Sequence, residues 1–195
     1  MDNIINEDYS LNHREFAILG LISEFPSHAY SLDQRIEERG MRAWTQIGKS
    51  SIYNDLGNLE ENGLVDSYTE EVDNRTRKIY QITDKGIYNL KKRIYNTLNE
   101  YDGRNDPDFY MAFSMLPCLS KQEQVEVFSN SLNMLKKHKK DLEEMLENNI
   151  NQPLNVKGLF IHPIKILQTD IEFLEAILEE IRRGAGQVDS KGYSK

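Results

Sequence analysis

Apolar residues recur along the chain at two different periods. Over 12–24 Phe16, Ile18, Leu19 and Ile22 fall at helical spacing, and Pro26-Ser27 breaks the run. The spacing predicts a second helix over 28–39, with Ser27 as N-cap and Arg39-Gly40 closing it. A third follows over 49–62, where Ile52, Leu56 and Leu59 share one face, Gly63 stops the helix, and either Gly48 or Ser50 caps it. The period then shortens to that of strands. "LVDSYTEEV" (64–72) and "RKIYQIT" (77–83) are rich in β-branched and aromatic residues, and "DNRT" (73–76) between them is turn chemistry, which predicts a hairpin. Thr83-Asp84 caps a further helix whose apolar face is Ile87, Leu90, Ile94 and Leu98.

Residues 102–108, "DGRNDPD", are polar and aperiodic and read as a hinge. Beyond them every pattern is helical. A short apolar helix over 108–116 ends at Pro117. Ser120 opens a long one, to about residue 148, with Glu123 completing a capping box. Its seam is Val125, Phe128, Leu132, Leu135, Lys139, Leu142 and Leu146, with Lys139 as a rim residue that snorkels. After the loop 148–155 comes a last helix, 163–183. There Ile164, Leu167, Ile171, Leu174, Leu178 and Ile181 alternate three and four apart, too short a seam to stand alone, so it must pack on something. The tail from Gly184 reads as frayed. The fold class is thus mainly α with one small β-hairpin, in two domains, 10–101 and 108–184.

Charge changes this picture locally. The chain of 195 residues carries a net charge of −8, which argues against a nonspecific nucleic-acid binder. Yet Arg75, Arg77, Lys78, Lys85, Lys91, Lys92 and Arg93 face a single acid, Asp84, within 74–93. The acidic, polar N-terminus lacks a secretory pattern, no apolar run spans a bilayer, and the single Cys118 reads as a buried inert thiol; a cytoplasmic protein is expected. His13, His28, His138 and His162 are scattered without metal-ligand spacing. There is no phosphate loop or nucleophile elbow, so neither enzyme nor cofactor is expected. His28 is read as positioning the turn, and Met41 and Trp44 as packing.

Three helices followed by a hairpin is the order of a winged helix-turn-helix, whose third helix enters the major groove of DNA by its N-terminal end. The outward face of that helix then explains itself. Lys49, Ser50, Ser51, Tyr53 and Asn54 can donate to phosphates and base edges, and the hairpin brings Arg75, Arg77 and Lys78 beside them.

The residues also resemble a family. "FAILGLISEFPSHAYSLDQRIEERG", "IGKSSIYNDLGNLEENGLV" and "RKIYQITDKG" are similar to the PadR family of bacterial and archaeal transcriptional regulators. The matching points are ILGL at 18–21, Pro26, His28, Tyr30, the Ser51-Ile52-Tyr53 element, Leu56, Leu59, Glu60, Gly63-Leu64-Val65, and YxxTxxG from Tyr80 to Gly86. The chain departs from the family in having His28-Ala29-Tyr30 for His-Gly-Tyr, Gly48-Lys49-Ser50 where Ser-Pro-Gly is frequent, and no glycine run in the wing. The resemblance implies a dimeric repressor that binds a palindromic double-stranded operator and is relieved by a small aromatic or hydrophobic effector, with no membrane partner. The C-terminal half is similar to the family's extended branch, whose helical domain makes the dimer. Ile164, Leu167, Ile171, Leu174, Leu178 and Ile181 are placed at that contact. The competing reading is a winged-helix module that docks protein and not DNA, favoured by Glu60, Glu61, Asp66, Glu70 and Glu71.

Overall fold

The computed structural model describes residues 8–45, 47–72, 75–103 and 106–184, with backbone alone at 72 and 75. It contains α1 (His13–Glu24), α2 (Ala29–Glu38), α3 (Arg42–Thr45), α4 (Lys49–Glu61), β1 (Val65–Val72), β2 (Arg75–Ile82), α5 (Asp84–Asn99), α6 (Pro107–Ser114), α7 (Lys121–Asn148) and α8 (Leu154–Arg183). A 3-10 turn, Leu116–Cys118, precedes α7 and holds Cys118 half-buried. The chain divides into two compact units after Ile94, inside α5.

The N-terminal unit is built on a core of Phe16, Ile18, Leu19, Ile22, Leu32, Ile36, Ile52, Leu56 and Leu59, all essentially inaccessible. Burial of each such side chain stabilises the unit by about 1.5–3 kcal/mol before conformational entropy is charged. Asn12 starts α1 with a full capping box: its side chain accepts from the Arg14 and Glu15 amides, and Glu15 reaches back to the Asn12 amide. The α2 cap differs from expectation. His28 caps it, its Nδ1 accepting from the Ser31 amide at 2.9 Å, because Ser27 is used elsewhere. Ser27 pairs with Tyr80 by two backbone hydrogen bonds of 2.9 Å, adding a one-residue third strand at the outer edge of β2.

β1 and β2 are antiparallel, in the register Val65 with Ile82 through Val72 with Arg75. β2 therefore begins two residues earlier than the sequence suggests, and Arg75 lies in the strand. The expected turn residues 73 and 74 lie outside the described residues, as do 104, 105 and the tail beyond Gly184. The YxxTxxG pattern has a mechanical reading. The Tyr80 backbone holds Ser27; the Thr83 hydroxyl donates to the Gly63 carbonyl at 2.7 Å and accepts from the Gly86 amide at 3.0 Å. Gly86 passes so close to the hairpin that an added Cβ would lie 2.1 Å from the Leu64 carbonyl oxygen. On α5 Leu90 and Ile94 are buried, but Ile87 is exposed.

In the second unit α7 and α8 form an antiparallel hairpin across the turn 149–153. Lys136 pairs with Glu175 at 2.6 Å, and the Lys121 ammonium donates to the Arg182 carbonyl at 3.2 Å. The Ser120–Glu123 capping box forms as read. Lys139 pairs with Glu143 one turn along at 2.7 Å, so its charge is matched on its own helix. α8 starts at Leu154, nine residues before the expected boundary, and carries Pro163 inside it. Proline is favoured at helix starts, yet it is tolerated within so long a helix at the loss of one amide donor. Gly103, expected in a hinge, is in left-handed backbone, and a Cβ there would meet the Leu167 and Leu135 side chains at 2.6 and 2.9 Å.

The α8 seam calls for a correction. Leu167, Ile171, Leu174, Leu178 and Ile181 are buried within the chain itself, and Ile164 is half-buried. The stripe faces α7, so it is not an open dimer contact. A second line of apolar residues on α8 remains open: Leu159, Ile166 and Phe173, seven apart and 72%, 42% and 40% exposed.

Candidate nucleic-acid interface

Helix α4 is anchored before it is presented. Its inner face, Ile52, Leu56 and Leu59, enters the core. Asp55, 1% exposed, takes a two-point ion pair from Arg14 of α1, at 3.0 and 3.3 Å. The approach to the helix is fixed by the short α3, which periodicity could not reveal because it is one turn long. Arg42 from α3 bonds Asp33, Glu37 and the Ile47 carbonyl, tying the segment before α4 back to α2.

The outer face of the first turn is open. Gly48 caps it without a side-chain hydrogen bond, and a helix N-terminus in that state favours anions. The Lys49 side chain is 80% exposed and only loosely held, 3.5 Å from Asp33. Ser50, Tyr53 and Asn54 are exposed. Ser51 is partly withdrawn: it is half-buried, and its hydroxyl donates to the Gly48 carbonyl at 2.7 Å.

The hairpin supplies the other wall. A cleft of ≈ 660 Å³ opens between α2, α4 and β2, lined by His28, Tyr30, Tyr53, Arg77, Lys78 and Tyr80 among others. Tyr53, Arg77 and Lys78, singled out from distant parts of the sequence, therefore share one concavity. The Arg75 side chain lies outside the described set. Lys78 is not idle. Its ammonium sits 2.7 Å from Glu60 and 5.0 Å from the centre of the Tyr80 ring. The hydrogen bond with Glu60 raises the Lys78 pKa and, from the other side, lowers that of Glu60, which Ser67 also bonds. Arg77 lies 3.2 Å from the Nε2 of His28. Sequence reasoning missed Tyr30 and His28 as members of this surface. The signal was the Ser27–Tyr80 bridge, which brings the start of α2 against β2 and has no local signature. Among the described residues, no cluster of histidine, cysteine and carboxylate side chains could hold a metal ion, and no helix is long and apolar enough to cross a membrane.

Residues 18–92 match the model of the Transcriptional regulator PadR-like family. The N-terminal unit is similar to that family over these residues. The match runs from Ile18 of α1 into α5 and includes every residue that lines the cleft. Among solved structures, the chain is similar to Bacillus subtilis PadR in complex with operator DNA, at 22% identity over 87% of this chain and 99% of that one, with a TM-score of 0.42. It is similar to smu.1704 from Streptococcus mutans UA159 at 29% identity over 46% of this chain and 87% of that one, with a TM-score of 0.37. Bacillus subtilis PadR in complex with p-coumaric acid is 20% identical over 88% of this chain and 99% of that one, with a TM-score of 0.37. No curated protein matches. Residues 18–92 are thus similar to a family of transcriptional regulators, and the order of three main helices and a hairpin is the one expected from the sequence.

Proposed function

We propose that the protein is a sequence-specific, DNA-binding transcriptional repressor acting as a homodimer. Lys49, Ser50, Ser51, Tyr53 and Asn54 meet one groove, and Arg75, Arg77 and Lys78 meet the adjoining backbone. The observation that carries this is the open first turn of α4, with Tyr53 one turn on lining the same cleft as the basic strand β2. Lys49 and Arg77 supply the charge for phosphates, while Ser50 and Asn54 carry the side-chain donors and acceptors that can read base edges. The dimer contact in this reading is the exposed line Leu159, Ile166 and Phe173 of α8, because the neighbouring stripe is already covered. Repression, and its relief by a small aromatic or hydrophobic effector, extend the proposal as the family resemblance implies.

The test is selection of bound duplexes from a random pool at two salt concentrations. Recovery of a palindrome with half-sites about 34 Å apart supports the dimeric reading. On the selected site, Lys78→Ala should weaken binding to all sequences and flatten the slope of log K against log salt by about one. Asn54→Ala should change the preference at one base position. Exposed Glu70 and Glu71 beside the wing favour the second reading, a protein-docking module. Failure to enrich any duplex, with retention of a protein partner, favours it.

A further inference from the structure

We propose that His28 is a DNA-backbone ligand, its Nε2–H and the Arg77 guanidinium closing on the same phosphate. The inference rests on the DNA-binding reading above and adds a residue to it.

The argument is one of donors and acceptors. A neutral imidazole has one N–H and one acceptor nitrogen. The acceptor is already assigned: Nδ1 takes the Ser31 backbone amide at 2.9 Å and so caps α2. A backbone amide cannot reverse its polarity, so Nδ1 carries no proton and Nε2 must carry one. Nε2 nevertheless faces an Arg77 guanidinium nitrogen at 3.2 Å, and a guanidinium can only donate. The other tautomer would let Nε2 accept from Arg77 but would turn a proton on Nδ1 toward the Ser31 amide. Either way the three groups are one acceptor short. An anionic oxygen lodged between Nε2–H and Arg77 satisfies both donors and leaves the helix cap intact.

The surroundings select the kind of anion. The pair sits on the wall of the ≈ 660 Å³ cleft that Tyr53 of α4 and Lys78 of β2 also line, so a phosphate held there lies between the recognition helix and the wing. Tyr30, 63% exposed, and Tyr53, 64% exposed, carry hydroxyl groups on the same cleft. The Ser27–Tyr80 bridge fixes the spacing of the two donors, because it clamps the start of α2 to β2. A backbone phosphate is read alike at every sequence, so the pair contributes affinity and register without specificity.

The test uses the full chain and a duplex selected from the random pool. His28→Asn keeps an oxygen where Nδ1 stands and so keeps the cap, but removes the distal donor. It should bind about tenfold more weakly on selected and random duplexes alike, with the salt slope and unfolding midpoint of the wild type. Arg77→Ala should make the slope shallower by about 0.9. The double variant should lose less than the product of the two, since both hold one phosphate. Methylphosphonate substitution, phosphate by phosphate, should find one position per half-site that costs the wild type more than H28N. Should H28N not fold, His28→Ser, another capping residue without the distal donor, gives the same readings. If the wild type binds DNA and H28N binds equally well, the role of His28 is refuted and the DNA reading stands. If the wild type binds no duplex, both fall. Inorganic phosphate replacing chloride at constant ionic strength should alter wild-type binding less than twofold. Stronger competition, abolished in H28N, would assign the pair to a free anion and overturn the proposal.

Discussion

Glu60→Gln should tighten DNA binding, which is unusual for a substitution outside the contact surface. In the free protein Glu60 holds the Lys78 ammonium at 2.7 Å, and the two side chains are 33% and 48% exposed. If Lys78 serves a phosphate, it must leave this carboxylate or share it, and the affinity that reaches measurement is reduced by what the pair was worth. An ion pair this exposed is screened and is worth about 0.2–1 kcal/mol, so its removal should tighten binding by about 1.4- to 5-fold. The amide of glutamine can still take the Ser67 hydroxyl that Glu60 accepts now, so the strand should stay in place. The folded protein should lose at most about 1 kcal/mol, since the same pair is all that is broken. That loss has a pH signature. The pKa of Glu60 is lowered in the folded state, so its contribution is present above the ordinary carboxylate range and disappears as pH falls through the folded value. The assay is fluorescence anisotropy of a labelled operator duplex with wild type, E60Q, Lys78→Ala and the double variant at several salt concentrations. The gain should vanish when Lys78 is absent. Weaker binding by E60Q, or an equal gain without Lys78, would refute the reasoning: the first would mean that Glu60 positions the lysine, the second that it merely repels DNA.

Further consequences follow from packing and burial. Gly86→Ala should lower stability by about 1–2 kcal/mol despite the better helix former, because the new methyl meets the fixed Leu64 carbonyl. Gly57→Ala on α4, with nothing within 4 Å, should instead stabilise by about 0.5–1 kcal/mol; urea denaturation of both checks the contrast. Asp170→Asn should raise the unfolding midpoint at neutral pH. Burial raises the Asp170 pKa, so the folded state disfavours its charge, while an amide oxygen can still accept from Tyr101. The advantage should shrink as pH falls through the carboxylate range, where the wild type binds its proton. Above about pH 10 the wild type should lose stability, because burial and then the Asp170 charge push the Tyr101 pKa up, and ionisation is easier in the unfolded chain.

Much of this molecule is written in short-range pattern. The apolar spacing of Ile52, Leu56 and Leu59, the Ser120–Glu123 box and the Thr83 start of α5 each depend on residues within a turn or two. Each was legible in the sequence, as was the exposed first turn of α4. What escaped was the choice of partner. Ser27 and His28 are both able to cap α2; the strand β2, some fifty residues away, claims Ser27 and leaves the cap to histidine. Lys78 reads as a free cation until the fold brings Glu60 to it. The 3-4 stripe of α8 states that the helix must be covered, but α7 of the same chain and a helix of a second chain satisfy that demand equally, and only the antiparallel hairpin shows which is used. Periodicity determines that a face is buried because it is a property of one helix. The identity of what buries it, and the distance from His28 to Arg77, belong to pairs of segments remote in sequence, and only the tertiary structure decides them.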